Sequence, residues 1–250
     1  MQYNRPIVLS IAGFDPSGGA GVLADVKTFE QHKCLGMGVI SALTIQTENK
    51  FINVEWMSFE KMTEQLQPLL ENYQIEFIKI GIIQNIEVLL ELVLWIKEKN
   101  SSVKIIWDPV LAASSGFALI EKIDQETLIK LLKNIYLITP NTNEAIALTH
   151  HTNENDAAAF LAQYCAVLLK GGHSEQEKGV DYLYSELNVI KIIGSSEIVY
   201  SKHGSGCILS SAITSQLALG HSLEQACRNA KIYIENILKS NTNLLAYHVQ

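Results

Sequence analysis

Runs of apolar residues of strand length alternate along the chain with longer stretches in which apolar positions recur every three or four residues. IVLSIAG (7–13) precedes a helical period from about Ala20 to His32, and MGVISALTI (37–45) follows it. FIKIGII (77–83) leads into a helix ending near Lys99, and KIIWDPV (104–110) into one running through Thr127 to Leu132. NIYLITP (134–140) leads into helices from Glu144 and from about Asp156 to Tyr164, and AVLLKGG (166–172) comes next. Continuous apolar strands separated by amphipathic helices predict a mostly parallel central sheet with helices on both faces, a doubly wound α/β fold. DYLYS (181–185) and ELNVIKII (186–193) alternate more weakly and are joined too closely for a crossover helix, so they predict a small antiparallel edge hairpin. Two further helices, Gly206 to Leu219 and Leu223 to Leu238, are divided at Gly220-His221-Ser222. No long linker, repeat or charge block breaks the rhythm, so residues 1–250 are expected to form a single domain.

Composition narrows the partners. The 250 residues are 48% hydrophobic, enough for one large core, and carry a net charge of −7, which argues against a broad surface for nucleic acid. No stretch approaches the roughly 18 continuous apolar residues of a membrane span, and the amino terminus lacks the pattern of a signal peptide. Four widely spaced cysteines (Cys34, Cys165, Cys207, Cys227) suit free thiols in a reducing compartment, so a cytoplasmic protein acting on a metabolite is expected.

Ligands of such sheets sit outside the carboxyl ends of the strands, which directs attention to the residues after each apolar run. AGFDPSGGAGVLADVKTF has neither the G-x-x-x-x-G-K-[ST] nor the G-x-G-x-x-G spacing, and its glycines suit a turn that lets strand and helix pack closely. Asp25 within it either faces a ligand or complements a helix start. Gln46, after SALTI, is either an ordinary surface residue or an amide that reads an amino group beside a ring nitrogen, as in an aminopyrimidine. Asp108 after KIIW and Glu144 after LITP offer hard oxygens for Mg²⁺, while Asn141 and Glu144 have the spacing of a capped helix start; both readings can hold together. Lys170 is a candidate point charge for phosphate. His150-His151 lacks spaced partners and is read as a solvated loop.

KHGSGCILSSA (202–212) is the most informative stretch. Gly204, Ser205 and Gly206 place unpaired backbone N–H groups at a helix start, where they would stabilise a phosphoryl group in flight. Cys207 in the first turn is either a gap-filling buried thiol or a proton acceptor for an attacking hydroxyl, its pKa lowered by the helix.

Seven segments in order, IAGFDPSGGAGVLADVKTF, ISALTIQT, KIGII, WDPVLAASSG, LITPNTNEA, LLKGGH and HGSGC, resemble the ribokinase superfamily, and within it the hydroxymethylpyrimidine and phosphomethylpyrimidine kinases of thiamine biosynthesis. The resemblance covers nearly the whole chain, and no fused further domain is expected after ILKSNTNLLAYHVQ. It implies a ribokinase-like fold, often dimeric through a small flap, and ATP-dependent phosphorylation of 4-amino-5-hydroxymethyl-2-methylpyrimidine and of its monophosphate, with Mg²⁺. By position it implies Cys207 as base at an anion hole of Gly204, Ser205 and Gly206. It also implies Gln46, Asp25, Gly13 and Val110 around the pyrimidine, Asn141, Lys170, Glu144 and His203 on the nucleotide side, and Asp108 with Glu144 at the metal. Two alternatives stay open: a pyridoxal or pyridoxine kinase on the same scaffold, and a non-catalytic pyrimidine-binding protein. Ser205 stands where the family usually has Thr, and KIGII has Ile where Met is common.

Overall fold

A computed structural model describes residues 5–111, 123–171, 179–185, 188–195 and 198–248. The later part of WDPVLAASSG, Gly172 and His173 of LLKGGH, and Glu186-Leu187 at the start of ELNVIKII lie outside the described residues. The sheet has nine strands: β1 (Ile7–Phe14), β2 (Leu35–Gln46), β3 (Phe51–Trp56), β4 (Phe77–Ile80), β5 (Lys104–Trp107), β6 (Leu137–Ile138), β7 (Ala166–Leu169), β8 (Asp181–Ser185) and β9 (Asn188–Ile192). Their order across the sheet is β3-β2-β1-β4-β5-β6-β7-β8-β9. Strands β2 to β7 in that order pair in parallel, while β3 at one edge and β8 and β9 at the other run antiparallel. The mostly parallel sheet and the β8–β9 hairpin agree with the sequence pattern.

Helices cover both faces. On one lie α1 (Gly21–Gln31), α7 (Ser205–Ala218) and α8 (Leu223–Lys239); on the other lie α2 (Phe59–Asn72), α3 (Ile86–Lys99), α4 (Gln125–Leu132), α5 (Thr142–Thr149) and α6 (Glu154–Leu161). The strands sort their side chains between the two layers by alternation. In β5, Ile105 and Trp107 join the α2–α6 core and Ile106 joins the α7–α8 core. In β4, Ile78 and Ile80 go the first way, Phe77 the second, and Lys79 therefore points toward α1 and α7.

Strand β3 and helix α2 are additional to the elements read from the sequence. FINVEW is an edge strand with little buried surface, joined to β2 by a tight turn in which Thr47 N–H bonds Lys50 O. In α2 Met62 and Leu66 are fully buried and Phe59, Leu69 and Leu70 pack partly buried on the same core, so this helix does carry the three-and-four spacing, with Pro68 inside it.

Candidate active site

The chain leaves β1 for β2 on one side and reaches β4 on the other, so the strand order reverses beside β1, where open α/β sheets leave a crevice for ligands. A cleft of about 1320 Å³ opens there. That exceeds the roughly 300–1,000 Å³ of a single small-molecule pocket and leaves room for two ligands. Gly13, Gln46, Asp108, Val110, Asn141, Glu144, Lys170, His203, Gly204, Ser205, Gly206 and Cys207 all line it. Gln46 and Gly13 come from β2 and β1, Asn141 and Lys170 from the ends of β6 and β7, and Asp108 from β5 between them.

Two of the helices that reach this cleft, α1 and α7, start differently from the others. Ser58, Asn85, Asp124, Asn141, Asn153 and Ser222 cap α2 to α6 and α8 with side-chain oxygens, whereas α1 and α7 have no side-chain cap. Gly204, the residue before α7, takes φ +73°, a left-handed backbone that favours glycine, and a Cβ there would overlap the Gly19 carbonyl oxygen. Gly21 plays the matching part for α1: at φ +59° its Cβ would overlap Gly13 O, so the glycine-rich segment does serve close packing of strand and helix. A Cβ on Gly206 would lie 3.3 Å from Lys170 Nζ and 3.9 Å from Asp108 Oδ2, so the first turn of α7 rests directly on that ion pair.

Lys170 Nζ donates to Asp108 Oδ1 at 2.8 Å and lies 3.8 Å from Glu144 Oε2. Thr139 and Ser210 hydroxyls donate to the two Asp108 oxygens. Burial alone would raise the Asp108 pKa, but Lys170 and Lys79 outweigh it and hold the carboxyl below its usual range. Glu144 is pushed up to about 7 by burial and the nearby Asp108, against the pull of Lys170. The spacing read as a helix start is a complete capping box: Asn141 Oδ1 accepts from Glu144 N–H at 2.9 Å, and Glu144 Oε2 accepts from Asn141 N–H at 2.7 Å. Among the described residues no three His, Cys, Asp or Glu side chains come together as a metal cluster. His150 is exposed at the end of α5, and the His151 ring packs on Phe160.

Two sequence expectations need correction. Asp25 does not line the cleft. It is completely buried on the inner side of α1, where both its oxygens accept from Lys79 Nζ (3.0 and 2.9 Å) and the Ser10 and Ser211 hydroxyls also donate to it. Cys207 does not have a lowered pKa. Burial raises it, Lys79 opposes, Asp108 and Asp25 add to the rise, and the thiol is pushed up to about 11 even though Gly21 N–H bonds its sulfur. Cys207 and Ser211 share one face of α7, so the Asp25–Lys79 pair lies beneath the cysteine.

Lys79 and Asp15 are cleft residues that the motif reading missed. A lysine inside a strand buried on both faces must have a partner, which was the available signal for Lys79. Asp15 accepts from Ser17 N–H, Ala20 N–H and, at 3.0 Å, His203 Nε2. Burial works against that carboxylate, and the His203 and Ser17 bonds keep its pKa below the usual value. Its spacing from Ser17, that of an Asx turn, was the only hint in the sequence.

Comparison with known proteins agrees with this geometry. The family model described as phosphomethylpyrimidine kinase matches residues 15–250. A hydroxymethylpyrimidine/phosphomethylpyrimidine kinase of Saccharomyces cerevisiae is 38% identical over 92% of this chain, which spans 45% of that protein's length. The crystal structure of a phosphomethylpyrimidine kinase from Clostridium difficile is 35% identical, with a TM-score of 0.77 over 92% of this chain and 98% of that one. A pyridoxal kinase from Staphylococcus aureus in complex with ADP superposes with a TM-score of 0.83 at 25% identity, over 98% of this chain and 94% of that one. The ribokinase-like sheet, the ordered motifs and a family match over all but the first fourteen residues agree, and the chain belongs to the phosphomethylpyrimidine kinase family.

Proposed function

We propose that this chain is an ATP-dependent kinase that phosphorylates the hydroxymethyl group of 4-amino-5-hydroxymethyl-2-methylpyrimidine and then the resulting monophosphate. One observation carries the reading: the uncapped start of α7, with Cys207 in its first turn, lies in the same cleft as Gln46 on one side and the Lys170–Asp108–Glu144 group on the other.

Gln46, Gly13 and Val110 hold the pyrimidine, the Gln46 amide pairing with the ring's amino group and adjacent nitrogen. Lys170, Asn141, Glu144 and His203 lie on the nucleotide side, with His203 bonded to Asp15 between the starts of α1 and α7. The free amides of Ser205 and Gly206 take the charge that spreads over the phosphoryl oxygens during transfer, which is most of what a protein supplies to this reaction. Asp108 and Glu144 would hold Mg²⁺. Two hard carboxylates are too few for an all-protein cage, and so suit an ion that brings waters and phosphate oxygens with it and neutralises phosphate charge. Cys207 accepts the hydroxymethyl proton through its minor thiolate fraction. The chain works in the cytoplasm as a homodimer that covers the exposed Leu43, Ile45 and Ile52 on the β2–β3 flap. Among the described residues no helix is long and apolar enough to cross a membrane.

The test is a coupled ADP-release assay with the free pyrimidine, its monophosphate and pyridoxal in parallel, products identified by mass. Phosphorylation of both pyrimidines in preference to pyridoxal supports the reading. Preference for pyridoxal transfers the assignment to that substrate, and absence of turnover with all three overturns it.

A further inference from the structure

The segment that follows α8 returns to the cleft and grips the two residues ahead of the α7 start. Lys202 is buried, 6% exposed, and has no carboxylate partner among the described residues. Its ammonium donates instead to three oxygens of one turn of chain: Asn241 O, Asn243 O at 2.8 Å and, more weakly, Asn241 Oδ1 at 3.5 Å. The next residue repeats the attachment, His203 N–H donating to Leu244 O at 2.9 Å. Asn241 organises the turn itself, accepting from Asn243 N–H (2.8 Å) and donating to Leu245 O (3.0 Å). Leu245 then packs beside the loop ahead of α1: a Cβ on Gly19 would lie 2.8 Å from Leu245 Cδ2 and 2.7 Å from the His203 ring. His203 Nε2, bonded to Asp15, closes the assembly.

A lysine just ahead of a glycine-rich helix start is ordinarily read as a phosphate ligand. Here its ammonium is already engaged by two main-chain carbonyls, with the Asn241 side chain at the limit of bonding distance. We infer that Lys202 is a positioning residue: it fastens residues 241–245 to the 202–204 segment, and this clamp fixes the amides at the start of α7 against the Asp108–Lys170 pair. The inference rests on the kinase reading for its catalytic consequence, since free amides stabilise a moving phosphoryl group only when held in place beforehand.

Lys202→Met and Asn241→Ala in the full chain, singly and together, test it. Each single variant is expected to lower kcat about tenfold, within the range set by ångström-scale misplacement. KM for the pyrimidine should stay within about twofold, and the double variant should be no worse than either single one, because both break one clamp. Parent-like kcat, a raised KM for ATP at unchanged kcat, or additive losses would each overturn the assignment; the second would make Lys202 a direct phosphate ligand. If Lys202→Met fails to fold, Asn241→Ala carries the test. Should the parent show no pyrimidine-dependent ADP release, the kinase reading fails separately, and iodoacetamide labelling of Cys207 followed by mass spectrometry still reports on the clamp. Labelling faster in both variants than in the parent supports it, and an unchanged rate contradicts it.

Discussion

At Cys207 two effects of opposite sign meet. The helix start and Lys79 favour the thiolate; burial and the carboxylates of Asp108 and Asp25 disfavour it and win, leaving the thiol near 11. The proton-accepting form therefore grows more abundant as pH climbs toward 11, about tenfold for each unit. If the thiolate takes the hydroxymethyl proton, kcat/KM, which reports the free enzyme, should rise about tenfold per unit between pH 7 and 9. Cys207→Ala should lose that slope. A flat profile in the parent would route the proton elsewhere. Beneath the cysteine, Lys79→Met strands a fully buried carboxylate among Ser10 and Ser211. Removing one partner of such a pair costs about 3–5 kcal/mol, to be read from urea unfolding; a loss below about 1 kcal/mol would contradict this reading of the pair.

Among the helices, two starts at the cleft are left without side-chain caps. Six starts are closed by Ser, Asn or Asp side chains, that of α5 at the cleft among them, and the two left open, α1 and α7, both border the cleft. Gly204→Ala should show how tightly the second is set. The left-handed backbone costs a residue with a Cβ about 1–2 kcal/mol, and relief of the overlap with Gly19 O must shift the first turn of α7. Loss of stability together with a kcat lower by at least about tenfold is expected; parent kcat would show that the turn tolerates displacement. The strands and helices that build this cleft were legible because burial on both faces forces long apolar runs. Strand β3 was not, because it buries little; helix α2 carries the spacing at Phe59, Met62, Leu66 and Leu69, but Pro68 inside it argues against a helix. Asp25 was misplaced because spacing alone cannot tell which side of α1 faces the ligand; that depends on Lys79, 54 residues away. The thiol's direction was misread because the helix start is visible in sequence, whereas the carboxylates of Asp25 and Asp108 meet it only in three dimensions.

On the scale of the whole molecule, a sheet with its reversal beside β1 gathers chain ends from β2 to β7 along one edge, so a flat ring and a nucleotide can be seated along it with the α7 start over the junction. The flap that extends the opposite edge from β8 and β9 carries Leu43, Ile45 and Ile52, exposed by 39%, 56% and 56%. A homodimer through that flap should fall to monomers on Ile45→Lys with Ile52→Lys, by light scattering after size exclusion; a parent that is already monomeric contradicts it. The central claim is that phosphoryl transfer to a pyrimidine alcohol takes place at the start of α7, beside Cys207. Its most direct measurement is turnover of the free pyrimidine by Cys207→Ala at saturating ATP, alongside its ADP affinity. The account expects kcat to fall by about 10²- to 10⁴-fold, the usual worth of a positioned base, with ADP affinity within about twofold of the parent. Turnover at the parent rate would contradict it.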